Sequence, residues 1–172
     1  MIIFAKPKLA EIEMLINEKG TGRMLIGVIS DTHGLIRAEA LEAFKGADVI
    51  CHGGDIGNVD VLKALEGIAP VLAVRGNCDR DVWSKEIPLS RYFQIGEHRF
   101  LIIHNLKDYK NTTGPLDAVI FGHSHQAKVW VKDKVLYINP GSAGPKRFRL
   151  PVTVARITID KGNLTPKIIE LV

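Results

Sequence analysis

The chain has 172 residues, 46% hydrophobic and 24% charged, with 16 Gly and 8 Pro, which fits one domain with room for a sizeable core. That composition excludes collagen-like, disordered and coiled-coil classes, and no apolar run approaches the eighteen or so residues of a membrane helix. The net charge of +4 comes from 23 basic and 19 acidic residues scattered along the chain; it favours anionic partners mildly and lacks the clustered basic stripe of a nucleic-acid binder. Two cysteines, Cys51 and Cys78, are too few for a disulfide framework and suit a reducing compartment. With Met1–Ala5 too short for a signal-peptide core, the expectation is a cytoplasmic protein with no membrane contact.

Residues 1–23 stand apart. Leu9, Ile12, Leu15 and Ile16 recur at helical spacing among Glu11, Glu13 and Glu18, and Gly20-Thr21-Gly22 ends the pattern. This predicts a helical N-terminal extension, either a packed surface helix or a self-association element that makes a homo-oligomer, ahead of a single domain over 24–172. From Met24 the chain alternates. Leu25–Ile29 is an apolar, β-branched strand; Arg37–Lys45 reads as a helix, Asp48–Cys51 as a strand, Val59–Leu65 as a helix and Val71–Val74 as a strand. Continuous apolar strands between helices argue for a parallel sheet covered on both faces. Arg91–Ile95, Arg99–His104, Ala118–Phe121, Lys128–Val131, Val135–Asn139, Val152–Ile159 and Leu164–Ile169 are then strand-like. Lys132-Asp133-Lys134 and Asp160-Lys161-Gly162-Asn163 between them look like hairpin turns. A parallel-rich first half and a hairpin-rich second half predict two sheets packed face to face, with helices outside.

Polar residues able to bind metals keep appearing where strands end. In order they are Asp31 and His33, Asp55, Asn77, His104, and His123 with His125, each block some two dozen residues from the next. Such gaps suit strand-to-strand connections, so all seven can meet at one edge of the sheets, where α/β folds place their sites. Alone, each block has a plain reading: Asp31 as a helix cap, Gly54-Asp55 and Gly76-Asn77 as turns, His104 as a core residue. Two His at i, i+2 in Gly122-His123-Ser124-His125, together with four further blocks in this order, make coincidence a poor account. His52 and His98 fall outside the pattern and read as structural or surface residues.

The blocks Asp31-x-His33, Gly54-Asp55, Gly76-Asn77, lone His104 and Gly122-His123-x-His125 resemble those of the calcineurin-like metallophosphoesterase superfamily, over Met24 to the C-terminus. The short spacing, and Asn139-Pro140-Gly141-Ser142 after the next strand, look most like its small single-domain phosphodiesterase branch. The resemblance implies an α/β fold, an αββα sandwich of two packed mixed β-sheets flanked by helices, with a dinuclear metal centre. By analogy one ion is held by Asp31, His33, Asp55 and His125, and the other by Asp55, Asn77, His104 and His123. Asp55 bridges, and Asp55, Asn77 and His104 serve catalysis as well.

The donor chemistry points the same way. Imidazole, carboxylate and amide donors suit Mn²⁺ first, with Ni²⁺, Fe²⁺, Zn²⁺ or Co²⁺ as other candidates, over Mg²⁺ or a thiolate-seeking ion. Two ions roughly 3.5–4 Å apart can share a hydroxide and clamp the phosphoryl oxygens during in-line attack. Amide Asn77 in place of a third carboxylate leaves residual positive charge, which suits a phosphodiester monoanion. Two positions depart from the wider family. Many relatives carry a His after the Asn of the Gly-Asn block, to protonate the leaving group; here it is Cys78. Relatives often continue the lone His as His-Gly-His, whereas this chain reads His104-Asn105-Leu106. The Asn139–Ser142 segment is expected as a loop near the site, and Lys146, Arg147 and Arg149 as a solvated basic loop or, alternatively, phosphate contacts. The expected activity is hydrolysis of a small or nucleotide-like phosphodiester; the alternative is a non-catalytic interaction scaffold of the same fold.

Overall fold

The computed structural model describes residues 22–110, 114–147 and 149–171; the helix expected within 1–23 lies outside them. From Met24 the order is β1 (Met24–Ile29), α1 (Ala38–Ala43), β2 (Val49–His52), α2 (Val59–Glu66), β3 (Val71–Ala73), a 3-10 turn (Val82–Glu86), β4 (Ser90–Ile95) and β5 (His98–Ile103). A second 3-10 turn (Leu106–Asp108) follows, then β6 (Ala118–Ile120), β7 (Lys128–Lys132), β8 (Val135–Asn139), β9 (Thr153–Asp160) and β10 (Asn163–Glu170).

Two five-stranded mixed sheets form, in the orders β10-β9-β1-β2-β3 and β4-β5-β6-β8-β7. Strands β1, β2 and β3 run parallel, as do β5, β6 and β8. The division between the sheets does not follow the halves of the chain. The β9–β10 hairpin returns to the first sheet and pairs antiparallel with β1. The reason is burial: Val154, Ala155, Ile157 and Ile159 of β9 are all buried, so this strand needs cover on both faces, which an interior place beside β1 supplies. Pro166 sits on edge strand β10, where a missing N–H costs no interior pairing. Both expected hairpin turns form. Asp133 and Lys134 (φ 50° and 65°), and Lys161 and Gly162 (φ 48° and 76°), are the two-residue loops whose positive φ matches the strand twist.

Alternation along the strands builds three apolar layers. Phe100 and Ile102 of β5 face Val28, Cys51, Leu72 and Ile157 between the sheets. Leu101 and Ile103 face outward and are covered by Leu106, Tyr109 and Leu116. Ile29, Ile50 and Val71 pack outward with Phe44, Leu62 and Leu65 of the α1–α2 layer. Gly27 makes that approach possible, because a Cβ there would meet the Phe44 ring at 2.7 Å. The outer cover is therefore unequal: α-helices lie over the first sheet, and the second carries a 3-10 turn and loop among the described residues.

Candidate metal centre

All seven candidate residues follow the C-terminal end of a parallel strand: Asp31 and His33 after β1, Asp55 after β2, Asn77 after β3, His104 after β5, His123 and His125 after β6. Backbone hydrogen bonds lace the loops together. Asp31 N donates to Gly54 O (2.9 Å), His33 N to Asp55 O (2.9 Å) and Gly122 N to His104 O (3.0 Å). Asp31, His33, Asp55, His123 and His125 all adopt positive φ, between 46° and 69°. Among the described residues, the other non-glycine positions in that region, Asp133, Lys134 and Lys161, are hairpin-turn residues. A left-handed conformation at five non-glycine positions costs free energy, and such strain gathers where side-chain aim matters more than local stability.

The structure brings the seven side chains into two adjoining groups. In the first, His125 Nε2 lies 3.1 Å from Asp31 Oδ1 and 3.4 Å from His33 Nε2. In the second, Asn77 Oδ1 is 3.0 Å from both His104 Nε2 and His123 Nδ1. Asp55 lies between them, its Oδ2 3.5 Å from His104 Nε2 and 4.0 Å from His33 Nε2. Asp31, Asp55, His104 and His125 are buried, His33 half-buried, and Asn77 and His123 exposed.

The acceptors of this cluster face one another and need a proton or a metal ion between them. His104 Nδ1 lies 2.7 Å from Gly53 O, and a carbonyl only accepts, so Nδ1 carries the hydrogen. In the neutral ring Nε2 is then a lone pair, aimed at two further acceptors on Asn77 and Asp55. A proton or a metal ion must stand among them. Without metal it is the proton: burial pulls the His104 pKa down, but hydrogen bonding and charge from Asp55 outweigh burial and raise it. For Asp55, burial opposes ionisation, yet hydrogen bonds from His104 and from the Cys78 N–H (2.8 Å) hold its carboxyl well below the usual range. Burial lowers the His33 pKa, with Asp55 opposing, so that ring stays a neutral donor. Asp31 Oδ1 and His125 Nδ1 are buried with no hydrogen-bond partner; the 3.1 Å approach of Asp31 Oδ1 to His125 Nε2 is close but not aligned for a hydrogen bond. Unsatisfied, strained and mutually facing donors of this kind fit divalent ions.

Residues outside the seven hold the loops in place. Buried His52, a structural residue as expected, accepts from Gly54 N at Nδ1 (3.2 Å) and donates from Nε2 to Thr32 Oγ1 (3.0 Å). Thr32 passes its own hydrogen to Ile56 O (2.9 Å). Burial outweighs the nearby carboxylates and brings the His52 pKa down to about 4, so the ring is neutral. Asp79, which sequence reading passes over, accepts from Ile56 N (3.1 Å), Gly57 N (2.8 Å) and Gly76 N (2.9 Å). One carboxylate thus ties the Asp55 loop to the Asn77 loop. Its signal in the sequence is an Asp two residues after a candidate ligand in a glycine-rich turn, a position suited to capping backbone N–H groups. Gly76 has no room for a side chain, since a Cβ would collide with Asp55.

The expected loop beside the site begins at Pro140, directly after Asn139 ends β8. Asn139 Nδ2 donates to Gly122 O (2.8 Å) and Ser142 Oγ to Asp31 O (2.9 Å). Of the basic residues that follow, Arg147 is not simply solvated: its Nη2 lies 3.3 Å from His33 Nε2. Cys78 is exposed, and its sulfur groups with donor atoms of His33 and Asp55, all within 4.8 Å of one another. Burial, then hydrogen bonding to Asp55, raises its pKa. Beside Asn77, His104 and His123 opens a cavity of about 390 Å³, lined also by Arg75, Leu89, Ser90, Asn105 and Asp108.

The chain matches known proteins in sequence and in fold. Residues 24–162 match the model of the calcineurin-like phosphoesterase superfamily domain. A probable metallophosphoesterase of Methanothermobacter thermautotrophicus is 37% identical over 161 residues, 86% of this chain and 92% of that protein. The solved structure of an archaeal phosphodiesterase superposes with a TM-score of 0.70 at 26% identity, over 86% of this chain and 100% of the other. Vacuolar protein sorting 29 from Cryptosporidium parvum shares the fold, with a TM-score of 0.68 at 16% identity over 87% of this chain and 98% of its own. With the family's domain spanning all seven residues, this chain belongs to the calcineurin-like phosphoesterase superfamily.

Proposed function

We propose that the chain is a metal-dependent phosphodiesterase that hydrolyses a small or nucleotide-like phosphodiester at a dinuclear centre, with residues 24–172 as its catalytic domain. The convergence of donors carries the reading: a proton on His104 Nε2 would satisfy Asn77 Oδ1 and Asp55 Oδ2, but Asp31 Oδ1, buried and facing His125 Nε2 without a hydrogen bond, still lacks a partner that a metal ion would supply. Asp31, His33, Asp55 and His125 would hold one ion, and Asp55, Asn77, His104 and His123 the other. Mn²⁺ heads the candidates, with Ni²⁺, Fe²⁺, Zn²⁺ and Co²⁺ behind it, because the donors mix nitrogen and oxygen without a committed thiolate. Two such ions would supply an acidified water as nucleophile and neutralise charge on the phosphoryl oxygens.

The chain's own groups set the rest. Asp55 stays ionised between the two groups, and the Gly53 carbonyl keeps His104 Nε2 unprotonated when a cation takes the proton's place. Asn77 adds an oxygen donor without charge. Asp31 and Asp55 are then the only formal negative charges among the seven, which leaves a centre carrying two divalent ions net positive and complementary to a diester anion. The cavity beside Asn77, His104 and His123 is large enough for an ester group of nucleoside size.

The test is elemental analysis together with turnover of an activated aryl diester. About two divalent ions per chain, with Mn²⁺-dependent turnover abolished by a chelator, is the expected outcome. Two ions bound but no turnover with any divalent metal would sink the phosphodiesterase reading. An empty site would favour a non-catalytic interaction scaffold of the same fold. Intact donor residues at all seven positions argue against the scaffold; Cys78 in place of a general acid is the feature that favours it.

A further inference from the structure

We infer that Arg147 is the phosphate clamp of this site, a guanidinium that binds the non-bridging oxygens of the substrate across from the metal-binding groups. This deepens the phosphodiesterase reading and rests on it. The observation is placement. Arg147 Nη2 lies 3.3 Å from His33 Nε2, and Arg147 has no carboxylate partner among the described residues. Arg147 is exposed beside these donors, so its guanidinium is free to turn to an anion held at them. Its planar fork matches two phosphate oxygens at once.

The loop that carries Arg147 is tied to the site through its backbone. Ala143 N donates to Ser30 O (3.1 Å), Gly144 N to Asp31 O (3.2 Å) and Ser142 Oγ to Asp31 O (2.9 Å). Arg37 Nη2 donates to Gly144 O (3.1 Å), and Leu150 N closes a turn on Arg147 O (3.1 Å). The Asp31 loop, which carries two of the proposed metal donors, is therefore the pedestal of the loop that carries Arg147. Gly144 is required for this: a Cβ would run into the backbone of Asp31 and Thr32. When His33 Nε2 is occupied as a ligand it can no longer accept from Arg147, and the guanidinium is left to the bound anion. The cavity beside Asn77, His104 and His123 adjoins the other metal-binding group, so the phosphoryl oxygens would meet Arg147 while the ester group enters that cavity.

The experiment uses the full chain loaded with Mn²⁺ and inorganic phosphate as probe. Binding is measured by titration calorimetry for wild type, Arg147→Ala, Arg147→Lys and, as a control on the same loop, Lys146→Ala. Loss of a charge-assisted hydrogen-bonding pair should raise the phosphate Kd of Arg147→Ala by about 10- to 100-fold. Arg147→Lys should recover part of it, as a point charge without the fork, and Lys146→Ala should stay within about twofold, as expected of a surface charge. Bound Mn²⁺ and the melting temperature should be unchanged, and kcat/KM for an aryl diester should fall in step with phosphate affinity. A phosphate Kd for Arg147→Ala within about twofold of wild type, or loss of Mn²⁺ in that variant, would overturn the proposal; the second result would make Arg147 a support for His33. If wild type binds phosphate through Arg147 yet hydrolyses no diester with any metal, the clamp stands and the phosphodiesterase reading fails. If wild type turns over and the variants bind phosphate normally, the clamp alone fails.

Discussion

At the scale of single residues, Asp55 and Cys78 carry the sharpest consequences. Asp55 is the one carboxylate within 4.0 Å of donors in both groups, so Asp55→Ala should release both ions together. Turnover should fall by more than about 10²-fold, since outer-shell partners alone are worth 10–100-fold. His125→Ala, whose Nε2 contacts the first group, should mainly empty one site. Counting ions per chain in the two variants checks the contrast, and retention of both ions by Asp55→Ala would end the shared-ligand assignment. Cys78 stands where many relatives place a proton-donating His. A positioned general acid is typically worth ~10²–10⁴-fold; bound cations would pull the Cys78 thiol towards thiolate, a poor donor, against the upward push of burial and Asp55. Wild type should therefore prefer aryl esters, whose leaving groups depart without help. Cys78→His should raise turnover of alkyl diesters more than that of aryl diesters, and equal effects on both would mean that protonation does not limit the reaction.

Between elements, the loops after β2 and β3 depend on Asp79. Its carboxylate accepts three backbone N–H groups from the two loops, and only 4% of the residue is exposed. Asp79→Ala would leave those donors unsatisfied, at about 1–3 kcal/mol for each that water cannot reach. We expect a loss of roughly 3 kcal/mol or more, seen as a lower denaturant midpoint. Metal affinity should weaken about 10- to 100-fold, as for other outer-shell groups, while Asp79→Asn keeps one acceptor oxygen and should recover part of both. Unchanged metal affinity in a folded Asp79→Ala would show that the two loops hold their donors without it. Element by element, the strands were legible from apolar runs and the turns from Asp, Lys and Gly pairs. The place of β9 was not: Val152–Ile159 reads as a strand, but nothing local in it selects β1 as neighbour over the second sheet.

Across the whole molecule, the buried network around His52 links fold stability to pH. The ordinary His value is 6.5, and His52 in the fold lies at about 4. The unfolded chain therefore binds this proton first as pH falls, and stability drops through the window from about 6.5 down to about 4. The full loss is ~3 kcal/mol. Unfolding midpoints of wild type and His52→Asn at pH 7 and pH 4.5 should show a steeper fall in wild type, and parallel pH dependence would mean that His52 does not report the coupling. The comparison of slopes is needed because His33, lowered, adds in the same direction and His104, raised, opposes. That Asp31, His33, Asp55, Asn77, His104, His123 and His125 meet at one edge was readable in one dimension because each ends a recognisable apolar strand, and strand ends of an α/β sheet converge. Distances, tautomers and supports were not. Asp79 and Arg147 lie 23 and 114 residues from the neighbours they contact, Ile56 and His33, and a local pattern shows a capping turn or a basic loop in either case. Which backbone groups face Asp79, and which imidazole faces Arg147, follow from how two sheets stack and how their loops lace, and that packing arises from long-range burial that no short stretch of residues encodes.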